Sequence, residues 1–99
     1  MKRYAGERTI DGLVVTVDGV PLAERRAVRC YDEGGFEWGY EGDNPQQLAL
    51  AILVDHLGDA ERAIRCSELF MKRVVANLDN EWQLSSADVD DAIRLCEIG

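Results

Sequence analysis

Ninety-nine residues, 46% hydrophobic and 30% charged, describe one globular domain (residues 1–99) with a modest core and exclude a disordered chain. Eleven Lys and Arg against nineteen Asp and Glu leave a net charge of −8, which argues against a general binder of nucleic acid or anionic membranes. No apolar run approaches the ~20 residues that span a bilayer, and Lys2 and Arg3 are followed by no apolar h-region of a signal peptide.

The acidic surplus is spread along the chain: residues 1–43 carry six basic and nine acidic side chains, residues 44–99 five and ten. Such a surface serves solubility or attracts a basic partner. Cys30, Cys66 and Cys96 are odd in number and far apart, so they form neither a disulfide framework nor a CxxC pair. Reduced thiols in the cytoplasm are the expectation.

In chain order, Tyr4 to Arg8 is a short polar segment expected as an edge strand. Leu13-Val14-Val15-Thr16-Val17 is the clearest strand, with Leu13, Val15 and Val17 on one face. Asp18-Gly19 suits a type I′ turn, whose two central residues both need positive φ. Val20-Pro21-Leu22 returns alongside, and Pro21, lacking a donor, places it at an edge. Ala23 to Cys30 reads as a short strand or a helical turn, with the strand favoured. Phe36-Glu37-Trp38-Gly39-Tyr40 alternates strictly, predicting a strand with three aromatics on one face.

Asn44 then stands as an N-cap, Pro45 as the first helical residue and Gln47 as the capping-box partner of a helix running to about Leu57, with Gly58 as its stop. Leu48 to Val54 is apolar all round, marking a helix packed on more than one side. Asp59 caps a second helix from Ala60 to about Leu78, with Ala63, Cys66, Phe70, Val74 and Leu78 as its apolar stripe. Trp82 and Leu84 lead into Ser85, the N-cap of a third helix with Asp88 at the capping-box position. The expected fold class is α+β: a small antiparallel β-sheet from the N-terminal half packed against three α-helices from the C-terminal half.

Phe36-x-Trp38-Gly39-Tyr40-x-Gly42 followed by Pro45-x-Gln47-Leu48-Ala49-Leu50-Ala51-Ile52-Leu53 resembles the hallmark of a small bacterial domain family of unknown function. Phe70 with Val74-Val75 and the Trp82-x-Leu84-Ser85 entry to the last helix resemble the same pattern. The resemblance covers about Gly35 to Ile93. It implies a fold and a setting in phages and other mobile elements, and it carries no catalytic residues.

No catalytic, cofactor or metal set emerges from the residues. His56 is the only histidine, and its place near a helix C-terminus is one the dipole favours for a cation. Cys66 and Cys96 fall on apolar stripes, where burial makes a thiol inert. Asp88-x-Asp90-Asp91 lacks the glycine turn and downstream glutamate of a calcium loop. Gly39 and Gly42 precede a helix without the Lys, Ser or Thr that a phosphate cradle would place in its first turn.

Glu33, Glu37, Glu41 and Asp43 are the candidate partner-binding residues. On a strand, alternate carboxylates stand ~6.6 Å apart, close to the ~7 Å inferred between phosphates of one nucleic-acid strand. Small size, acidity and the resemblance point to a non-enzymatic protein-binding module of phage or mobile-element origin. Its most concrete form is an acidic inhibitor of a host nucleic-acid-handling defence complex such as a CRISPR effector. The expected partner is a host protein with a basic surface, with no direct nucleic acid, no membrane and no cofactor. A structural protein acting as a homo-oligomer is the second class. A small-ligand binder or enzyme using a pocket by Trp38, Tyr40 and His56 is the third.

Overall fold

The computed structural model describes residues 2–98. Strand β1 (Arg3–Thr9) pairs antiparallel with β2 (Gly12–Val17) across a two-residue turn. Within that turn Thr9 Oγ1 donates to the Gly12 carbonyl and accepts from the Asp11 amide. Asp18 and Gly19 both take positive φ (50° and 82°), the type I′ geometry expected between β2 and β3 (Val20–Pro21). A fourth strand, β4 (Glu81–Ser85), pairs antiparallel with β1, and the sheet order is β3-β2-β1-β4.

β1 is therefore an interior strand, not the edge its polar character suggested. Its polarity follows from position: alternate residues face an uncovered side of the sheet. The opposite face collects Tyr4, Val15, Val17, Trp82 and Leu84 against the core. The sequence also missed β4, because Trp82 and Leu84 read as the approach to a helix. Both roles hold at once. Ser85 ends the strand and caps α3 (Ser86–Ile98), its amide donating to Asp88 Oδ2 at 2.9 Å and its Oγ accepting from the Asp88 amide at 3.1 Å.

Helix α1 (Asp43–Leu57) buries Pro45 and an unbroken run from Gln47 to Leu53, as its all-round apolar sequence predicts. Its start differs from the expectation. Gly42 occupies the N-cap position without a side-chain bond, and the Asn44 and Gln47 side chains are turned to other uses. Gly58 closes the helix in the left-handed conformation. Asp59 accepts from the Arg62 amide to cap α2 (Ala60–Arg73). That helix stops short of Leu78: a 3-10 turn (Val75–Asn77) follows, and Asn77 Nδ2 donates to the carbonyls of Lys72 and Arg73. A side chain satisfying end carbonyls gives the helix a stop that apolar periodicity does not reveal.

The largest departure lies between β3 and α1. Residues 22–42 form neither expected strand, at 23–30 or at 36–40. Their backbone groups are met by side chains instead of a ladder. Gln47, fully buried on α1, accepts from the Tyr31 amide at 2.7 Å and donates to the carbonyls of Glu24 and Arg29 at 2.7 and 3.1 Å. Asn44 Nδ2 holds Asp32 Oδ1 and the Gly35 carbonyl. Tyr31 OH and Ser67 Oγ, 2.9 Å apart, tie the segment to α2. The α+β class holds, with a four-stranded sheet, three helices and this long irregular segment laid along α1.

Candidate partner-binding surface

The alternation of residues 36–40 does not put three rings on one side. Trp38 is fully buried and meets Trp82 edge to face at 5.7 Å, Phe36 is half-buried, and Tyr40 stands 48% exposed. Arg8, reaching from β1, organises this part of the segment. Its guanidinium lies 4.8 Å over the Trp38 ring, donates to the Trp38 carbonyl at 2.9 Å, pairs with Glu37 at 2.9 Å and bonds Asn80 at 3.2 Å. A planar, multidentate cation can serve all four partners where a lysine could not.

Of the four candidate carboxylates, Glu33, Glu41 and Asp43 are exposed. Glu37 is not free: Arg8 neutralises it, and it also accepts from the Trp38 amide at 3.1 Å. Without a strand, these residues do not present the evenly spaced row of carboxylates that the alternation predicts. Tyr40 instead shares the lining of an open hollow of about 700 Å³ with Arg8, Trp38, Leu78, Asp79, Asn80 and Glu81. Partial burial first, and then the charges of Glu37 and Asp32, hold the Tyr40 phenol above its ordinary value, with Arg8 opposing them.

The remaining chemistry-bearing residues are spoken for by the fold. His56 Nε2 meets Asp90 Oδ1 at 2.6 Å and joins α1 to α3. Asp88 belongs to the α3 cap and Asp91 pairs with Arg94. Among the described residues no group of three His, Cys, Asp or Glu side chains is placed to hold a metal ion. No helix among them is long and apolar enough to cross a membrane. Burial pushes the Cys66 and Cys96 thiols up, while Cys30 is exposed. Trp38 and Tyr40 line the hollow together, and His56 is not part of that lining. Tyr40 precedes the start of α1 and His56 lies near its end, about 20 Å along the axis at ~1.5 Å per residue.

A family model described as a family of unknown function, DUF6166, matches residues 4–95. The chain belongs to DUF6166. No curated protein and no solved structure matches it. The DUF6166 match runs from β1 into α3, so it takes in the sheet, the Gln47-held segment and the hollow beside Tyr40. It agrees with the sequence resemblance to a domain family of unknown function and carries no chemistry with it.

Asp79 and Glu81, which line the hollow with Tyr40, are not among the candidate carboxylates that the sequence suggests. Asp79 reads as a helix breaker. The available signal was the period-2 pattern Glu81-Trp82-Gln83-Leu84-Ser85, which identifies a strand and puts Glu81 and Gln83 on one face.

Proposed function

We propose that this DUF6166 chain is a non-enzymatic protein-binding module whose partner presents a basic surface. The observation that carries it is Tyr40, half-exposed in a hollow whose lining includes Asp79 and Glu81, with Glu41 and Asp43 following it in the chain. An exposed aromatic ring among carboxylates combines an anchor of large area with a charged rim that steers an oppositely charged partner. The Arg8 and Gln47 contacts hold the surrounding backbone in place, which lowers the ordering cost of binding.

In its most concrete form the module is encoded by a phage or mobile element and inhibits a host nucleic-acid-handling complex such as a CRISPR effector. Glu33, Glu41 and Asp43, together with Asp79 and Glu81, would occupy a basic groove there. Support comes from the net charge of −8 and from the resemblance of the Phe36–Leu53 stretch.

The test is capture of a stoichiometric partner from host lysate at low salt. It is repeated with Tyr40→Ala and with the triple variant Glu33→Gln, Glu41→Gln, Asp43→Asn. Both variants should melt like the parent, bind at least about tenfold more weakly, and in the triple variant lose most of the salt dependence. Failure to recover any partner, or binding indifferent to both variants, would discard the proposal.

A further inference from the structure

All three helices leave one face of the sheet uncovered, and that face is neither flat nor neutral. Val14 is 43% exposed on it and, with Ala5, Thr16 and Gln83, lines a hollow of about 180 Å³. Glu7 and Glu81 close one end. The β1–β4 register sets these two residues directly opposite each other, with Cβ atoms about 5 Å apart by the geometry of such pairs. Like charges so placed destabilise a sheet. Among the described residues neither glutamate has an ion-pair partner, although seven arginines and lysines of the chain do. Arg3, on the same face, is engaged with Gln83 at 3.2 Å.

We infer that this open sheet face is a docking surface for an arginine of a partner protein, its guanidinium between Glu7 and Glu81 and its aliphatic stem in the Ala5–Val14–Thr16 hollow. The inference rests on the protein-binding reading and adds a second contact to it, in a hollow of the sheet that shares Glu81 with the one lined by Tyr40. Charge complementarity selects the occupant. A planar cation can bond both carboxylates at once and relieve their opposition, while its stem covers the apolar floor. Among the described residues a divalent metal would find no third acidic, His or Cys ligand to complete a group with these two glutamates. A second copy of the chain, packed face to face about a two-fold axis, would bring an equally acidic surface against this one.

The experiment titrates the isotopically labelled full chain with the peptide acetyl-Val-Arg-Val-Arg-Val-amide at low salt, following backbone amides by NMR. The same peptide with citrulline for arginine is the neutral control. Saturable shifts are expected at Ala5, Glu7, Val14, Thr16, Glu81 and Gln83, with little response to the control. The double variant Glu7→Gln, Glu81→Gln should bind at least about tenfold more weakly while melting no lower than the parent, because a repulsion has been removed. The triple variant at 33, 41 and 43 should bind the peptide as the parent does. Equal affinity in the double variant, equal binding of the citrulline peptide, or self-association through this face would each overturn the inference. Shifts confined to residues 33–43 would overturn it too, yet leave the protein-binding module standing. Failure of the module itself would appear separately, as no partner captured.

Discussion

Gly6 lies flat against the Trp82 indole: a Cβ at Gly6 would collide with Trp82 Nε1 and the ring carbons beside it. The two face each other in the β1–β4 register, and Trp82 cannot retreat because the fully buried Trp38 ring packs against it at 5.7 Å. Gly6→Ala should therefore behave as an overpacked core and cost about 1–3 kcal/mol. Urea unfolding checks the cost, and the near-UV circular dichroism of the tryptophan pair should change with it. An alanine variant as stable as the parent, with the same aromatic signal, would refute this packing.

Gln47 is the second test. Replacing it with Leu keeps the bulk and removes the four side-chain bonds that Gln47 makes to residues 24–32, leaving, among the described residues, only Asn44–Asp32 and the Arg25–Asp55 pair between that segment and α1. The Glu24 and Arg29 carbonyls and the Tyr31 amide would be left without their partner, at a cost of about 2–4 kcal/mol in all. Trypsin should then cut faster after Arg25, Arg26 or Arg29, since the freed segment opens locally before the domain unfolds. Unchanged cleavage would mean that the segment is held by other contacts.

Stability should fall in alkali through Tyr4. Burial, and then the hydrogen bond to Asp55 at 2.7 Å and the charge it carries, keep the Tyr4 phenol far above its ordinary value. A folded-state pKa raised above the unfolded one contributes stability that is fully present below about pH 10 and is lost as pH rises beyond it. The unfolded chain ionises there while the folded chain resists. Tyr4→Phe should lower stability near neutrality by about 1.5 kcal/mol, the value of a bond to a charged acceptor. Its stability should then decline less steeply above pH 10 than the parent's. Parallel pH curves for the two proteins would contradict the assignment.

Thiol reactivity should separate the cysteines. Cys30 is exposed, whereas Cys66 and Cys96 are buried with their thiols pushed up by desolvation. A thiol reagent at pH 8 should modify one cysteine rapidly and the other two only as the domain unfolds. Cys30→Ser should abolish the rapid phase. A second rapid thiol in the native protein would place Cys66 or Cys96 at the surface.

Local chemistry settled the elements whose signals are complete within a few residues. The Asp18-Gly19 turn follows from two positive φ angles, the α2 and α3 caps from Asp59 and the Ser85–Asp88 pair, and the burial of α1 from an apolar run with no polar face. The α+β class follows from their sum. Tertiary structure decided what depended on a distant partner. Asn44 and Gln47 have the residue types of a capping box, but a buried amide gains more by bonding backbone groups that would otherwise be unsatisfied. Phe36 to Tyr40 has the alternation of a strand, yet no neighbouring strand offers it a ladder. Arg8 instead draws Glu37 and the Trp38 carbonyl out of any such pairing. The acidic surface is likewise a product of topology. Glu7 and Glu81 are far apart in the chain and become neighbours only because β4 returns to pair with β1.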